Sequence, residues 1–163
     1  MKRLLVLFSV IILLSEPALA VEKGAVTNLP LPRFVSLKAS KANARRGPSL
    51  SHRIDWVYKR KHMPLEIYAE YENWRRVRDI DGAGGWVHYS LLSGVRTAIL
   101  KVNMQPLTKG PDENSNIVAR FEKDVIAKIE KCELKWCQLT TGGYKGWVPK
   151  TSIWGVYDEE LRD

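Results

Sequence analysis

An aromatic side chain and two arginines at alternate positions are the clearest candidate for binding chemistry in the sequence. Trp74, Arg76 and Arg78 alternate with Arg75 and Val77, and alternate residues of a strand share one face. A flat indole beside two guanidinium groups suits stacking on a sugar or a peptide and pairing with carboxylates. The competing interpretation is that Trp74 covers one end of a hydrophobic core while the arginines are solvated.

No group of residues has the spacing of a catalytic or metal centre. His52, His62 and His88 have no cysteine near them in the chain, and the nucleophile, zinc-protease and phosphate-loop motifs are absent. Residues 79–82, Asp-Ile-Asp-Gly, resemble the start of a calcium loop. The later ligands are missing, however, so a turn explains the segment better. The sequence therefore predicts a protein that is not an enzyme and needs no metal or cofactor, with a hydrolase as the weakest hypothesis.

Cys132 and Cys137 are the only cysteines of the chain. If the chain reverses at residues 134–135, the two face each other across a hairpin, where opposed Cβ atoms are about 4.5 to 5.5 Å apart. A disulfide is the prediction for an oxidising compartment. A single Cys-x4-Cys pair cannot fill the four positions of a structural zinc site. A reactive or a free structural thiol is a weaker alternative.

The first 20 residues have the order of a secretory signal peptide. Lys2 and Arg3 precede an apolar run at residues 4–14, and small residues end the segment at Ala20. The apolar run is shorter than the roughly 20 residues that a membrane-spanning helix needs. We therefore predict cleavage after Ala20 and a periplasmic or secreted protein with no transmembrane anchor after cleavage; a retained N-terminal anchor is the alternative.

Positive charge is concentrated in the first half of the chain. Residues 33–99 contain 13 Lys and Arg against 6 Asp and Glu, whereas residues 100–163 contain 10 of each. A positive field attracts polyanions, and export favours envelope polymers with carboxylate or phosphate groups over nucleic acid. The exposed basic turn expected at residues 59–62 would contribute to such attraction. A charge that only keeps the protein soluble is the other interpretation.

Four landmarks occur twice in the same order. Their spacing of 63, 62, 61 and 61 residues indicates two tandem units of about 60 residues each. The landmarks are a Gly-Pro pair at residues 47–48 and 110–111, Trp74 and Trp136, a Gly-Trp-Val triplet at residues 85–87 and 146–148, and Gly94 and Gly155.

Within each unit the patterns are those of short strands and tight turns. Residues 63–69 and 125–129 alternate between apolar and other side chains, and residues 73–78 are typical of a returning strand. Glycine-rich segments at residues 81–85 and 141–143 suit hairpin turns. About five strands in 60 residues can close into a small barrel, so the sequence predicts an all-β protein.

These boundaries predict four segments. Residues 1–20 form the signal peptide, 21–32 an irregular lead-in, 33–99 a basic first unit, and 100–160 a second unit with the disulfide. We expect the units to pack together through residues 92–102 and 154–157.

Both units resemble bacterial SH3-like domains, with a Gly-Pro turn, a tryptophan on a returning strand and a Gly-Trp-Val triplet before a closing apolar residue. More closely, the chain is similar to an exported family of alphaproteobacteria with two SH3 repeats. The similarity covers residues 33–160 and implies two tandem small SH3-like β-barrels. It rests on residues 45–49, 72–78, 85–94 and 154–157, and on Cys132, Trp136 and Cys137.

The resemblance also implies where a ligand would bind. In eukaryotic SH3 domains a tryptophan at a similar strand start lines the peptide groove, which suggests ligand-binding roles for Trp74 and Trp136. Residues 106–108, Pro-Leu-Thr, differ from Asn-Ala-Arg at 43–45. A ligand surface that uses this segment would therefore exist in one unit only.

Taken together, the patterns predict a noncatalytic exported module that recognises peptidoglycan or its peptide stems in the cell envelope. Trp74, Arg76, Arg78 and Trp136 are the candidate ligand-binding residues. The alternative is a protein-protein adaptor that binds an extended segment of an envelope protein. The expected partner is thus a cell-wall polymer or an envelope protein. Trp74→Ala is expected to impair binding and to leave the stability of the fold nearly unchanged.

Overall fold

The structure is a computed structural model, and it describes residues 21–163. The predicted signal peptide at residues 1–20 lies outside the described residues. Residues 21–163 form two antiparallel β-sheets with short 3₁₀ turns, which confirms the predicted all-β class. No helix in this part of the chain has the length and apolar character needed to cross a membrane.

The first sheet has seven strands in the order β3-β2-β6-β5-β4-β1-β7. The last strand, β7, has only two residues and so cannot show an alternating pattern in the sequence. The strands are β1 (Arg33–Leu37), β2 (Ala42–Arg45), β3 (Ile54–Tyr58), β4 (Pro64–Tyr71), β5 (Trp74–Arg78), β6 (Gly84–His88) and β7 (Leu92–Ser93).

The second sheet repeats this topology strand for strand, in the order β10-β9-β13-β12-β11-β8-β14. The identical order confirms that the chain contains a tandem repeat. The strands are β8 (Thr97–Leu100), β9 (Gln105–Thr108), β10 (Ile117–Phe121), β11 (Ile126–Cys132), β12 (Trp136–Thr141), β13 (Tyr144–Pro149) and β14 (Ile153–Trp154).

Each sheet surrounds its own hydrophobic core. In the first unit Leu65 and Ile67 of β4, Val77 of β5 and Val87 of β6 are buried together. Both β4 and β11 contain a bulge directly after the second of their core residues. Because a bulge bends its strand and increases the local twist, it helps each sheet curl around its core. The second core uses the equivalent residues Ala127, Ile129, Leu139 and Val148.

The junction between the units lies before β8. This strand pairs with β11 and β14 and therefore belongs wholly to the second sheet. A boundary between Ile99 and Leu100 would divide it. The link between the sheets is thus the segment between Ser93, the last residue of β7, and Thr97.

Aromatic side chains from both units pack at their contact. The ring of Phe34 on β1 lies 5.0 Å from that of Trp154, edge to face, and 4.7 Å from that of Tyr157. The Tyr157 hydroxyl donates a hydrogen bond of 2.9 Å to Glu66 on β4. The expected contribution of residues 154–157 to the contact is therefore present.

Polar contacts join the units on the side of the basic turn. The Thr97 hydroxyl donates a hydrogen bond of 2.7 Å to the carbonyl of His62. The Arg60 guanidinium donates to the carbonyl of Asp124 at 2.6 Å. The basic turn at residues 59–62 is exposed, as expected, but it also helps to set how the units meet.

The lead-in at residues 21–32 is an ordered turn that docks on the first sheet. Its loop closes through hydrogen bonds from Gly24 to Leu29 and from Leu31 to Glu22, both 2.8 Å. The carboxylate of Glu70, which is fully buried, accepts hydrogen bonds from the lead-in and from Arg33. Those from Thr27 are 3.0 Å long for the backbone N–H and 2.7 Å for the hydroxyl.

The electrostatics of Glu70 favour its charged form. Burial alone raises the pKa of this carboxyl, but the hydrogen bonds from Thr27 and Arg33 outweigh it and lower the pKa to about 2. The guanidinium of Arg75 lies 3.5 Å away and adds to the stabilisation of the charge.

The predicted disulfide is present. Cys132 of β11 is directly opposite Cys137 of β12, with Cα atoms 4.1 Å apart. The corresponding opposed pair of the first unit is Glu70 and Arg75. The same end of the same hairpin is thus closed by a covalent bond in one unit and by a buried ion pair in the other.

We predict that Glu70→Gln lowers the free energy of unfolding by about 2 kcal/mol at pH 7, because a neutral amide cannot replace the paired carboxylate. A group with a lowered pKa stabilises the fold above its unfolded pKa of about 4.5. That stability is lost as the pH falls through this value towards 2. Urea unfolding of both proteins at pH 7 and at pH 2.5 tests this. The difference should shrink at pH 2.5, and Glu72→Gln, which changes an exposed neighbour, should have almost no effect.

Replacing both cysteines by serine should lower the free energy of unfolding by about 2 kcal/mol, since the disulfide closes a loop of few residues. The sheet itself should remain, because Leu139 and Val148 still fill the second core. Thermal unfolding of the double variant beside the oxidised and the reduced native protein measures the effect. A double variant that differs from the reduced native protein would show that the serines perturb the core independently of the bond.

Candidate functional site

An open cavity of about 310 Å³ lies beside the first residue of β5. It is formed by the β2–β3 hairpin on one side and by β5, β6 and the turn after β6 on the other. Its lining residues are Lys41, Ala42, Asn43, Arg45, Leu50, Trp74, His88 and Leu91. We call this the Trp74 cavity.

Trp74 forms the wall of the cavity and contributes little exposed surface. The side chain is only 8% exposed. The register of β5 and β6 places Trp74 opposite His88, and the two rings meet edge to face with centroids 5.5 Å apart. The indole is therefore held in a fixed orientation, so its side chain loses little conformational entropy when a ligand binds.

His88 presents one ring nitrogen to its own turn and keeps the other available. The backbone N–H of Ser90 points to Nδ1 at 3.4 Å, and the Ser90 hydroxyl lies 2.8 Å from the same nitrogen. When Nδ1 accepts from the Ser90 N–H, the proton of a neutral ring is on Nε2. Nε2 can thus donate a hydrogen bond to a ligand in the cavity.

All the charged groups that line the Trp74 cavity are basic. Lys41 is exposed at the rim. One nitrogen of Arg45 donates to the carbonyls of Leu50 at 3.0 Å and His52 at 2.7 Å. These bonds hold the hairpin loop in place while the cation stays near the cavity. With an indole, two cations and an imidazole donor, the cavity suits an anionic group attached to a flat or apolar body.

Arg76 and Arg78 lie elsewhere, although they alternate with Trp74 on β5. Both guanidinium groups cover the ring of Tyr68, at 5.3 and 5.6 Å from its centroid. Arg78 also pairs with Glu66 and lines a different cavity between the two units. The structure thus brings Trp74 together with Lys41, Arg45 and His88. The proximity of these four residues depends on the pairing of β6 with both β2 and β5. From the sequence, the hairpin spacing could have indicated only that His88 lies opposite Trp74.

Trp136 lies at the equivalent place in the second unit, where the chemistry differs. It is half-buried and borders a cavity of about 390 Å³ together with Glu113, Lys135 and Pro149. Pro149 occupies the register position of His88. The second cavity therefore combines acidic and basic groups and lacks the imidazole donor.

The burial of Trp74 changes the outcome expected for its truncation. We predict that Trp74→Ala lowers the free energy of unfolding by about 3 kcal/mol, because it leaves a void beside the core. Trp136 is half-buried, so Trp136→Ala should lower the free energy of unfolding by only about 1 kcal/mol. Urea unfolding followed by far-ultraviolet circular dichroism compares the two variants. Equal losses would contradict the difference in packing. If Trp74→Ala binds a ligand more weakly, the measured affinity must therefore be corrected for the fraction of the variant that is unfolded.

Comparisons with known proteins agree with the repeat. A family model for the bacterial SH3 domain matches residues 38–94 and, a second time, residues 101–155. No curated protein is similar enough to this chain to count as a match. Domains of the matched family bind ligands and are generally noncatalytic.

Two solved structures from Trichomonas vaginalis are similar to part of this chain. NlpC2 is 14% identical, with 76% of this chain and 48% of that chain covered and a TM-score of 0.35. NlpC1 is 15% identical, with 83% and 50% covered and a TM-score of 0.36. The chain spans about half the length of these two proteins. The double family match covers more than half of the chain. With its two equivalent seven-stranded sheets, this protein belongs to the bacterial SH3 domain family and contains two copies of the domain.

Proposed function

We propose that this protein is a noncatalytic binding module of the cell envelope that recognises peptidoglycan or its peptide stems. Bacterial SH3 domains often bind cell-wall components. The observation that carries the proposal is the Trp74 cavity, whose charged lining residues are all basic and whose indole is fixed by His88. Peptide stems offer carboxylates for the cations, and glycan offers flat sugar faces for the indole.

The proposal includes the location of the protein. Bacterial SH3 domains are commonly extracellular or periplasmic. We propose that residues 1–20 act as a signal peptide, in agreement with a disulfide that needs an oxidising compartment. A wall polymer would then be accessible to residues 21–163.

An adaptor function is the second candidate, and one feature favours it. β3 is the outer strand of the first sheet, and its apolar residues Ile54 and Trp56 are 41% and 46% exposed. An outer strand can add an extended segment of another protein through its free backbone groups. The binding surface would then be β3 and not the Trp74 cavity.

Cosedimentation with isolated peptidoglycan sacculi tests the first proposal through Lys41→Glu. This exposed residue can be changed without disturbing the core. The variant should bind sacculi about tenfold more weakly at physiological salt, because a carboxylate would face the ligand's carboxylates. Lys109→Glu makes the same change of net charge on an exposed residue of the second unit. It should bind like the native protein.

The pattern of binding distinguishes the hypotheses. Equal weakening in both lysine variants, or binding that disappears at physiological salt, would mean nonspecific attraction and would refute the cavity as the wall site. Absence of native binding would favour the adaptor. In that case Trp56→Ser, an exposed change on β3, is the variant expected to lose a protein partner.

A further inference from the structure

The β2–β3 hairpin and the turn that follows it carry most of the positive charge of the protein. Residues 41–61, which we call the basic hairpin, contain seven Lys and Arg against one Asp, a net charge of +6, while the formal net charge of the whole chain is +8. The equivalent residues 104–124 of the second unit contain three Lys and Arg against four Asp and Glu, a net charge of −1. Since both hairpins occupy the same place in the same topology, the fold itself does not require this charge.

The loop of the basic hairpin also exposes a leucine. Leu50 is 77% exposed, more than any other large apolar side chain of residues 21–163. The residue in the equivalent position of the second unit is Glu113. Ile54 and Trp56, which follow on β3, are exposed as well. A group of exposed apolar side chains on one hairpin indicates a surface that a partner covers.

The loop that carries Leu50 is held in one conformation. One nitrogen of Arg45 donates hydrogen bonds to the carbonyls of Leu50 and His52. The Ser49 hydroxyl lies 2.7 Å from Nδ1 of the His52 ring. The backbone of Leu50 is therefore fixed towards Arg45 while its side chain faces solvent. Because the loop is already ordered, it loses little conformational entropy when a partner covers the leucine.

Two arginines beside this loop are held close together. The N–H of Arg46 donates a backbone hydrogen bond of 2.9 Å to the carbonyl of Arg53. The Nε atoms of both guanidinium groups donate to the carboxylate of Asp55, at 3.1 and 2.7 Å. One carboxylate compensates only one of the two cations, so the pair keeps a net positive charge. The contacts with Asp55 use only Nε of each guanidinium, and the remaining N–H groups can donate to phosphate oxygens.

The combination of apolar side chains with surrounding cations distinguishes the possible partners. A soluble polyanion would pair with the arginines but would leave Leu50 and Trp56 in water. A bilayer surface with anionic lipids satisfies both, because lipid phosphates pair with the cations and the boundary below the headgroups takes up apolar side chains. Tryptophan in particular is enriched at this boundary. An added protein strand would pair with the backbone of β3 and would not need Leu50, which lies in the loop.

We propose that the basic hairpin binds the surface of a membrane that contains anionic phospholipids. Arg46 and Arg53 contact lipid phosphates, Leu50 enters the boundary between headgroups and acyl chains, and Trp56 lies at the level of the headgroups. The exposed basic residues 59–61 at the other end of β3 add electrostatic attraction. This peripheral contact does not depend on the proposed recognition of the cell wall.

Cosedimentation of the purified protein with lipid vesicles tests the proposal. One set of vesicles contains equal parts of phosphatidylglycerol and phosphatidylcholine, and the other contains phosphatidylcholine alone. The protein should bind the neutral vesicles more than about tenfold more weakly, because each cation near an anionic surface contributes about fivefold to binding. Absence of binding to the anionic vesicles, or equal binding to both sets, would overturn the proposal.

Leu50→Asn tests the apolar contact without a change of charge or of either core. This variant should bind the anionic vesicles about tenfold more weakly, since it removes the side chain that enters the bilayer boundary. Leu134→Asn is the matched control, because Leu134 is 72% exposed in a hairpin loop of the second unit. The control should bind like the native protein. Unchanged binding of Leu50→Asn, together with equally tight binding of soluble polyphosphate, would identify a polyanion as the partner and would refute the membrane.

The double variant Arg46→Gln with Arg53→Gln tests the electrostatic contact. It should bind the anionic vesicles about twentyfold more weakly, since two cations are lost at the lipid surface. Lys109→Gln with Lys145→Gln makes the same change of net charge on exposed residues of the second unit. It should have little effect, because charges farther from the surface than a Debye length are screened. Equal weakening in the two double variants would mean attraction by net charge alone and would contradict a specific role of the basic hairpin.

Discussion

A buried carboxylate on the first hairpin holds together parts of the chain that are distant in sequence. Glu70 accepts hydrogen bonds from Thr27 of the lead-in and from Arg33 at the start of β1, and Arg75 approaches from the neighbouring strand. Because a buried charge is tolerated only when its oxygens are satisfied, the docked lead-in is part of what stabilises Glu70 in its buried position. The same anchoring fixes the start of β1, which carries Phe34 into the contact between the units.

In the second unit, a disulfide and backbone hydrogen bonds hold the equivalent end of the hairpin. The disulfide closes the hairpin, and the backbone of Cys132 exchanges hydrogen bonds of 2.8 and 2.9 Å with Arg162. Arg96, in the link between the sheets, binds both carboxylate oxygens of Glu160 and the carbonyl of Gly155. The tail after β14 is thus held at several points. Since this tail supplies one wall of the cavity between the two units, the geometry of that cavity depends on these anchors.

Repetition of the fold did not preserve the chemistry of the surface. The core positions of the two units correspond closely, yet His88 is replaced by Pro149 and the basic rim of one cavity by a mixed one. A core position is constrained by packing, whereas a rim position can change without loss of stability. The first unit has a basic cavity, whereas most charged residues that line the cavity between the units are acidic. A net positive charge alone would have predicted only the first of these.

The sequence alone determined the all-β class, the tandem units and the disulfide. The class and the disulfide follow from residues close together in the chain, and the tandem units follow from short landmarks that occur twice in the same order. A period of two, a glycine turn and a Cys-x4-Cys pair are local signals. Neighbours in the candidate site are not local. Alternation places Arg76 and Arg78 with Trp74, but both arginines turn to Tyr68, while strand pairing brings His88 to the indole. Likewise the irregular lead-in is held by a carboxylate more than forty residues away. The direction of a long side chain and the partner of a buried charge depend on strands that meet across large sequence separations, and only the tertiary structure decides which strands meet.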